Sequence, residues 1–199
     1  MKSFYVCSYG GCGSKAFVAW LLKENYSKVA HLHTRIPPAS LDLISEHEVG
    51  DSENHYVIYI FRNPVEALLS RFNLTHHDYL GVPDYLSQKF NESDVDEYLE
   101  VAYNVPYSES AQFDKYCATG VDYIGYEDHF DNYVNRGYNK TYPIYAINYH
   151  KMWDNHETIC EVLGMVTQKF FPKIEGKSSY IKKESITSDQ RNSLDTMYK

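Results

Sequence analysis

Six consecutive apolar residues, Tyr56-Val57-Ile58-Tyr59-Ile60-Phe61, pass without a linker into Arg62-Asn63-Pro64-Val65-Glu66-Ala67-Leu68-Leu69-Ser70. The first stretch reads as a strand and the second as a helix that starts at the strand's end. Asn63 is a favoured N-cap, Pro64 suits the first helical position, and Glu66 stands where a capping-box acid reaches back. Val65, Leu68, Leu69 and Phe72 follow at i, i+3, i+4 and i+7, the stripe that packs on a sheet. Ser70 falls on the opposite, polar side of that helix. A guanidinium at a strand's C-terminal mouth, a helix start and a hydroxyl two turns along it together make a phosphate site.

The N-terminal segment repeats the pattern. Lys2 to Ser8 reads as a strand, Tyr9-Gly10-Gly11-Cys12-Gly13-Ser14-Lys15 as a glycine-rich turn, and Ser14 to Glu24 as a helix with Phe17, Val18 and Leu21 on one face. Lys28 to Arg35 is a second strand closed by Pro37-Pro38, and Tyr56 to Phe61 is the third. Strand, helix, strand, strand, helix in this order predicts an α/β fold with a mainly parallel central sheet flanked by helices. Ligands of such sheets sit outside the carboxyl ends of the strands. Further on, Tyr142 to Asn148 reads as a late strand, Met152 to Leu163 as a helix ended by Gly164, and Ser188 to Tyr198 as a terminal helix. The 199 residues suit a single domain. Within it, residues 75–140 are expected to form a helical insertion or lid, with helices around Val82 to Phe90, Asp94 to Ala102 and Glu127 to Val134.

Charge narrows the ligands. A formal net charge of -8 argues against a nucleic-acid partner, which needs a basic face to displace counterions. Any anion site must therefore be a local concentration of donors. No stretch approaches the ~18 apolar residues of a membrane span, and no secretory leader is evident, so a soluble, cytoplasmic protein is expected. Cys7, Cys12, Cys117 and Cys160 are scattered without a C-x-x-C pair, as suits free thiols in a reducing compartment. None of the histidine or acid spacings implies a metal site.

Glycines at 10, 11 and 13 between a strand and a helix allow successive amide N–H groups to point at one oxyanion, assisted by the helix dipole. Ser14 and Lys15 add a hydroxyl and a charge. The ATP-binding pattern G-x-x-x-x-G-K-[ST] is not met, because Lys15 follows Ser14 rather than Gly13. Gly11-Cys12-Gly13-Ser14-Lys15-Ala16 does fit the dinucleotide pattern G-x-G-x-x-A. The acid expected about 20 residues later is replaced by Arg35, which leaves an NADP reading open. That reading does not explain Arg62 to Ser70.

Taken together, the two motifs resemble those of sulfotransferases that use 3′-phosphoadenosine-5′-phosphosulfate (PAPS). In that family a glycine-rich 5′-phosphosulfate loop follows the first strand, and R-[DN]-P-x-x-A-L-x-S follows a later one. Arg62 through Ser70 fills every defining position of the second motif. The resemblance implies that Arg62 and Ser70 bind the donor's 3′-phosphate. Cytosolic members read Y-P-K-S-G-T-T-W in the first motif, where this chain has Tyr9 to Ala16. Tyr9, Gly13 and Ser14 correspond, Gly11 takes the place of the family's Lys, and Lys15 stands four residues on as the available cation.

The second strand is also similar, with His33-Thr34-Arg35-Ile36-Pro37 where the family runs K-T-H-L-P. Arg35 occupies the catalytic His position, and His33 the Lys position. Residues 31, 33 and 35 would alternate onto one face, projecting His33 and Arg35 together. Late in the chain, Asn148-Tyr149-His150-Lys151 matches an R-Y-E-D-type turn, and Gly176-Lys177-Ser178-Ser179 resembles a basic loop that closes over the 3′-phosphate. The likeness covers roughly residues 2 to 74 and 142 to 199.

It implies a P-loop-like sulfotransferase architecture and transfer of a sulfuryl group from PAPS to a hydroxyl or amine acceptor, with 3′,5′-ADP (PAP) as product and no metal. The amides of Gly10, Gly11, Cys12, Gly13 and Ser14, with Lys15, are expected on the 5′-phosphosulfate. Arg62, Ser70, Lys177 and Ser178 are expected on the 3′-phosphate. His33 is the expected general base, with His129 or Glu127 as alternatives, and Arg35 is expected to orient the acceptor or steady the transferring group. The acceptor is expected among sugars, lipid headgroups and phenols. Two other readings stay open: a P-loop-like nucleotide kinase, and a non-catalytic nucleotide-binding or interaction module.

Overall fold

A computed structural model describes residues 2–26, 28–37, 55–72, 110–122, 125–136, 142–166 and 186–198. The expected helices at Val82 to Phe90 and Asp94 to Ala102, and the loop carrying Lys177 and Ser178, lie outside these residues. The chain divides into two compact units, Met1–Asn63 with Tyr126–Glu175, and Pro64–Gly125 with Gly176–Lys199.

The first unit is built on β1 (Ser3–Cys7), α1 (Ser14–Lys23), β2 (Lys28–Leu32) and β3 (His55–Phe61), completed later in the chain by the helices Tyr126–Val134 and His156–Val162 and by a fourth strand. Its strands form one parallel sheet in the order β2-β1-β3-β4, where β4 is Ile144–Asn148. Alternation assigns the side chains to two faces. Phe4, Val6, Ile58 and Ile60 share one, while Tyr5, Cys7, Val57 and Tyr59 share the other, and all eight are buried. A strand buried on both faces has no polar side to offer, which is why β3 reads as a continuous apolar run.

Phe17, Trp20 and Leu21 are the buried face of α1, with Trp20 in the place expected for Val18. On the Tyr5 face, Tyr133 stacks on Tyr59 at 4.5 Å between ring centroids, and Tyr142 joins the same cluster. Tyr133 comes from the helix Tyr126–Val134, the last of the helices expected in the insertion. That helix is thus a layer of the first unit's core. Each large side chain buried in these layers contributes about 1.5–3 kcal/mol.

The end of β2 differs from the expected strand. The ladder pairs Cys7 with Leu32 as its last rung, so residues 33 to 35 have no strand beside them, because β1 has already turned into the glycine loop. The expected helix Met152 to Leu163 also begins later than expected. A 3-10 turn, Tyr149–Lys151, is capped by Asn148, whose Oδ1 accepts from the His150 amide at 2.9 Å, and an α-helix begins only at His156.

The second unit contains the helices Pro64–Phe72, Ser110–Thr119 and Ser188–Met197. Numbered along the chain, these are α2, α3 and α6; Tyr126–Val134 is α4 and His156–Val162 is α5. Thr187 and Gln190 form a reciprocal capping box at the start of α6. Tyr116 ties the ends of α3 and α6, with its hydroxyl 2.6 Å from that of Tyr198 and 2.8 Å from Asp122 Oδ1. Among the described residues no helix is long and apolar enough to cross a membrane.

Candidate anion-binding site

In the order β2-β1-β3-β4 the chain leaves β1 towards β2 and returns to the other side of β1 as β3, so the connections diverge between β1 and β3. Parallel α/β sheets hold ligands outside the carboxyl ends of strands at such a divergence. Both motifs of the sequence open there: the glycine loop follows β1, and Arg62 follows β3.

The loop takes a conformation that glycine permits. Gly10, Gly11 and Gly13 have φ of 112°, 65° and 78°. Gly13 is the left-handed N-cap of α1, and its carbonyl accepts from the amides of Ala16 at 3.1 Å and Phe17 at 3.4 Å. The Cys12 thiol closes the turn on the Gly10 carbonyl at 3.2 Å. A left-handed turn at a helix start gathers amide N–H groups into a concavity suited to an anion. Lys15, exposed on the first turn of α1, adds a cation.

Arg62 is fastened to this loop. Its Nη1 donates to the Gly11 carbonyl at 3.0 Å, and its backbone carbonyl accepts from the Tyr126 hydroxyl. The guanidinium lies over the ring of Tyr149, 5.0 Å from the centroid, a cation–π arrangement. Tyr149 in turn lies against Gly13: an ideal Cβ at that glycine would meet Cδ2 at 2.6 Å and Cε2 closer still. Loop, aromatic ring and guanidinium form one stack at the mouth of the sheet. Sequence reading places Arg62 at this mouth; the role of Tyr149 is carried by tertiary contact, and its local signals are its position just past a strand end and the R-Y-E-D-type turn it belongs to.

Beneath the loop runs a chain of short polar contacts. His31 Nε2 is 2.8 Å from Ser14 Oγ, Ser14 Oγ is 2.8 Å from Ser8 Oγ, and Ser8 Oγ is 3.3 Å from His33 Nδ1. His33 Nδ1 also lies 2.7 Å from the Ser8 carbonyl. Ser8 and Ser14 are buried, and the two imidazoles meet edge to face at 4.6 Å. Burial foremost, then the nearby His33 and Lys15, push the His31 imidazole down from its ordinary 6.5 to about 3. His31 was not singled out by the sequence motifs, although it shares a face of β2 with Val6's side of the sheet and so looks towards α1.

His31 and His33 thus come together, but Arg35 does not join them. Beyond the strand's end it turns to an exposed ion pair with Asp128 at 2.6 Å, while its carbonyl accepts from Asn132 Nδ2 at 3.1 Å. His129 is buried in the aromatic layer, with Nδ1 3.1 Å from the Tyr59 hydroxyl, whose ionisation burial pushes well up. Glu127 is exposed. Ser70 is half-buried on α2 of the second unit, where Ala67, Leu68 and Leu69 are buried. Lys177 and Ser178 lie outside the described residues. Comparison of the chain with protein-family models, curated proteins and solved structures finds no match.

Proposed function

We propose that this protein is a PAPS-dependent sulfotransferase. The observation that carries the reading is the convergence, at the divergence of β1 and β3, of a three-glycine loop and an arginine bonded to it at 3.0 Å. Arg62 is also the first residue of a nine-residue motif that resembles the family's 3′-phosphate signature. The amides of Gly10 to Ser14, with Lys15, take the 5′-phosphosulfate, and Arg62 takes the 3′-phosphate. Ser70, Lys177 and Ser178 enter this reading from the sequence motifs alone.

In the reaction, the acceptor's oxygen or nitrogen attacks sulfur in line as the bond from sulfur to the bridging phosphate oxygen breaks. The acceptor's proton passes to His33, and 3′,5′-ADP leaves with the electron pair. Charge grows on that phosphate, which the loop amides and Lys15 face. Arg35 can orient the acceptor only by exchanging its Asp128 partner.

Thermal stabilisation by 3′,5′-ADP, but not by ATP or NADP, separates this reading from a kinase or a dehydrogenase. At a hundred times Kd the gain is about 2.7 kcal/mol. No shift with 3′,5′-ADP refutes the proposal. Labelled sulfate passing from PAPS to a panel of sugars, lipids and phenols then separates an enzyme from a binding module. His33→Ala should lower turnover by about 10²–10⁴-fold while 3′,5′-ADP still binds.

A further inference from the structure

The polarity of the chain His33–Ser8–Ser14–His31 follows from elementary hydrogen-bond rules. A carbonyl only accepts, so the 2.7 Å contact between His33 Nδ1 and the Ser8 carbonyl requires a hydrogen on Nδ1. That nitrogen then cannot accept from Ser8 Oγ, 3.3 Å away. The Ser8 hydroxyl hydrogen is therefore directed to Ser14 Oγ at 2.8 Å. Ser14, 3 % exposed, has its own hydrogen to place, and His31 Nε2 at 2.8 Å is the acceptor available to it among the described residues. Placing the hydrogen there satisfies a buried hydroxyl, as interiors demand.

We propose that the two histidines at the end of β2 have separate tasks: His31 is a positioning residue that accepts the Ser14 hydroxyl on Nε2, and His33, its proton pinned on Nδ1 by the Ser8 carbonyl, presents Nε2 to the acceptor's proton. The role given to His33 rests on the sulfotransferase reading; the nitrogen assignments do not. One consequence is that Ser14 offers an anion its amide, not its hydroxyl, because the hydroxyl is committed inward. His31 thereby ties the first turn of α1 to the end of β2 and fixes the loop that opens between them. An imidazole pushed to about 3 keeps its lone pair over the whole physiological range, as this task requires.

Long-range proton–nitrogen NMR of the histidine-labelled full chain reads the assignments directly. Both neutral rings should carry hydrogen on Nδ1. A proton on Nε2 of either His31 or neutral His33 overturns the proposal. The positioning role is read with 3′,5′-ADP as probe: His31→Gln keeps an acceptor near Nε2 and should bind within about twofold of the unaltered protein, whereas His31→Leu should bind about tenfold more weakly. Equal affinity of the two variants refutes positioning. Ser14→Ala removes the same bond from its other end with little risk to folding, and should cost no more than His31→Leu; a much larger loss would show the hydroxyl on the anion and overturn the inference. If 3′,5′-ADP fails to bind the unaltered protein, the sulfotransferase reading falls, and the nitrogen assignments are decided by the spectra.

Discussion

Gly13→Ala is the sharpest test of the loop's geometry, because two separate costs meet at one atom. The first is conformational: φ of +78° and ψ of 10° put the residue in the left-handed region, where a Cβ costs about 1–2 kcal/mol. The second is steric. The added carbon would stand 2.6 Å from Tyr149 Cδ2 and nearer to Cε2, and the ring has little room to yield. Arg62 covers it at 5.0 Å, and Trp153 meets it edge-on at 4.9 Å. Overpacking of this kind costs about 1–3 kcal/mol, so the sum is about 2–5 kcal/mol. At roughly 2–4 °C per kcal/mol for a chain of this length, Tm should fall by about 4–20 °C.

Gly120→Ala supplies the control. Its φ is +64°, but among the described residues nothing lies within 4 Å of its would-be Cβ, so only the first cost applies. Urea unfolding followed by circular dichroism measures both variants. The two tryptophans, Trp20 and Trp153, both belong to the first unit and report on it separately by fluorescence. In a Tyr149→Ala background the Gly13→Ala cost should shrink to the conformational part, a coupling of about 1–3 kcal/mol. If Gly13→Ala costs no more than Gly120→Ala, or if the coupling is zero, Tyr149 does not lie on the loop and the stack described above is wrong.

His31 should leave a mark on acid stability. Its folded pKa of about 3 lies below the ordinary 6.5, so the unfolded chain binds the extra proton and stability falls as pH drops from about 6.5 towards 3. The slope attributable to this group is at most about 1.4 kcal/mol per pH unit. Denaturant titrations at pH 7 and pH 5 should show it in the unaltered protein and lack it in His31→Gln; equal slopes would refute the assignment. Arg62→Ala should cost about 1–3 kcal/mol by removing the charged donor to the Gly11 carbonyl, and Arg62→Lys should not restore it, since an ammonium cannot both stack on Tyr149 and reach the loop. Calorimetric Tm values for the two variants decide this, and full rescue by Lys would count against the geometry. Burial foremost pushes the Cys7 thiol up to about 12, and none of its surface is exposed, so iodoacetamide at pH 8 should label it only after unfolding. Mass spectrometry of the native protein showing Cys7 alkylated at the unfolded rate would contradict the packing of the sheet.

What the sequence could and could not convey divides along local and tertiary lines. The start of α1 at Ser14, the strand ending at Phe61 and the helix beginning at Pro64 were legible, because glycine, an apolar run and an Asn-Pro step are each local chemistry. The end of β2 was not. Alternation of His31, His33 and Arg35 reads as a strand to residue 35, yet a strand lasts only as long as its neighbour, and β1 leaves the sheet after Cys7. That early exit changes the chemistry of the site. Freed from the ladder, His33 can turn its Nδ1 to the Ser8 carbonyl, and Arg35 can swing out to Asp128. The Arg62 to Ser70 motif shows the complementary limit: its nine residues are contiguous in sequence, but the boundary of the two units falls between Asn63 and Pro64. Spacing along a chain therefore identified the arginine and its strand end. The partners of that arginine, Gly11 and Tyr149, come from 51 residues before it and from the turn after β4, and only the folded sheet brings them to it.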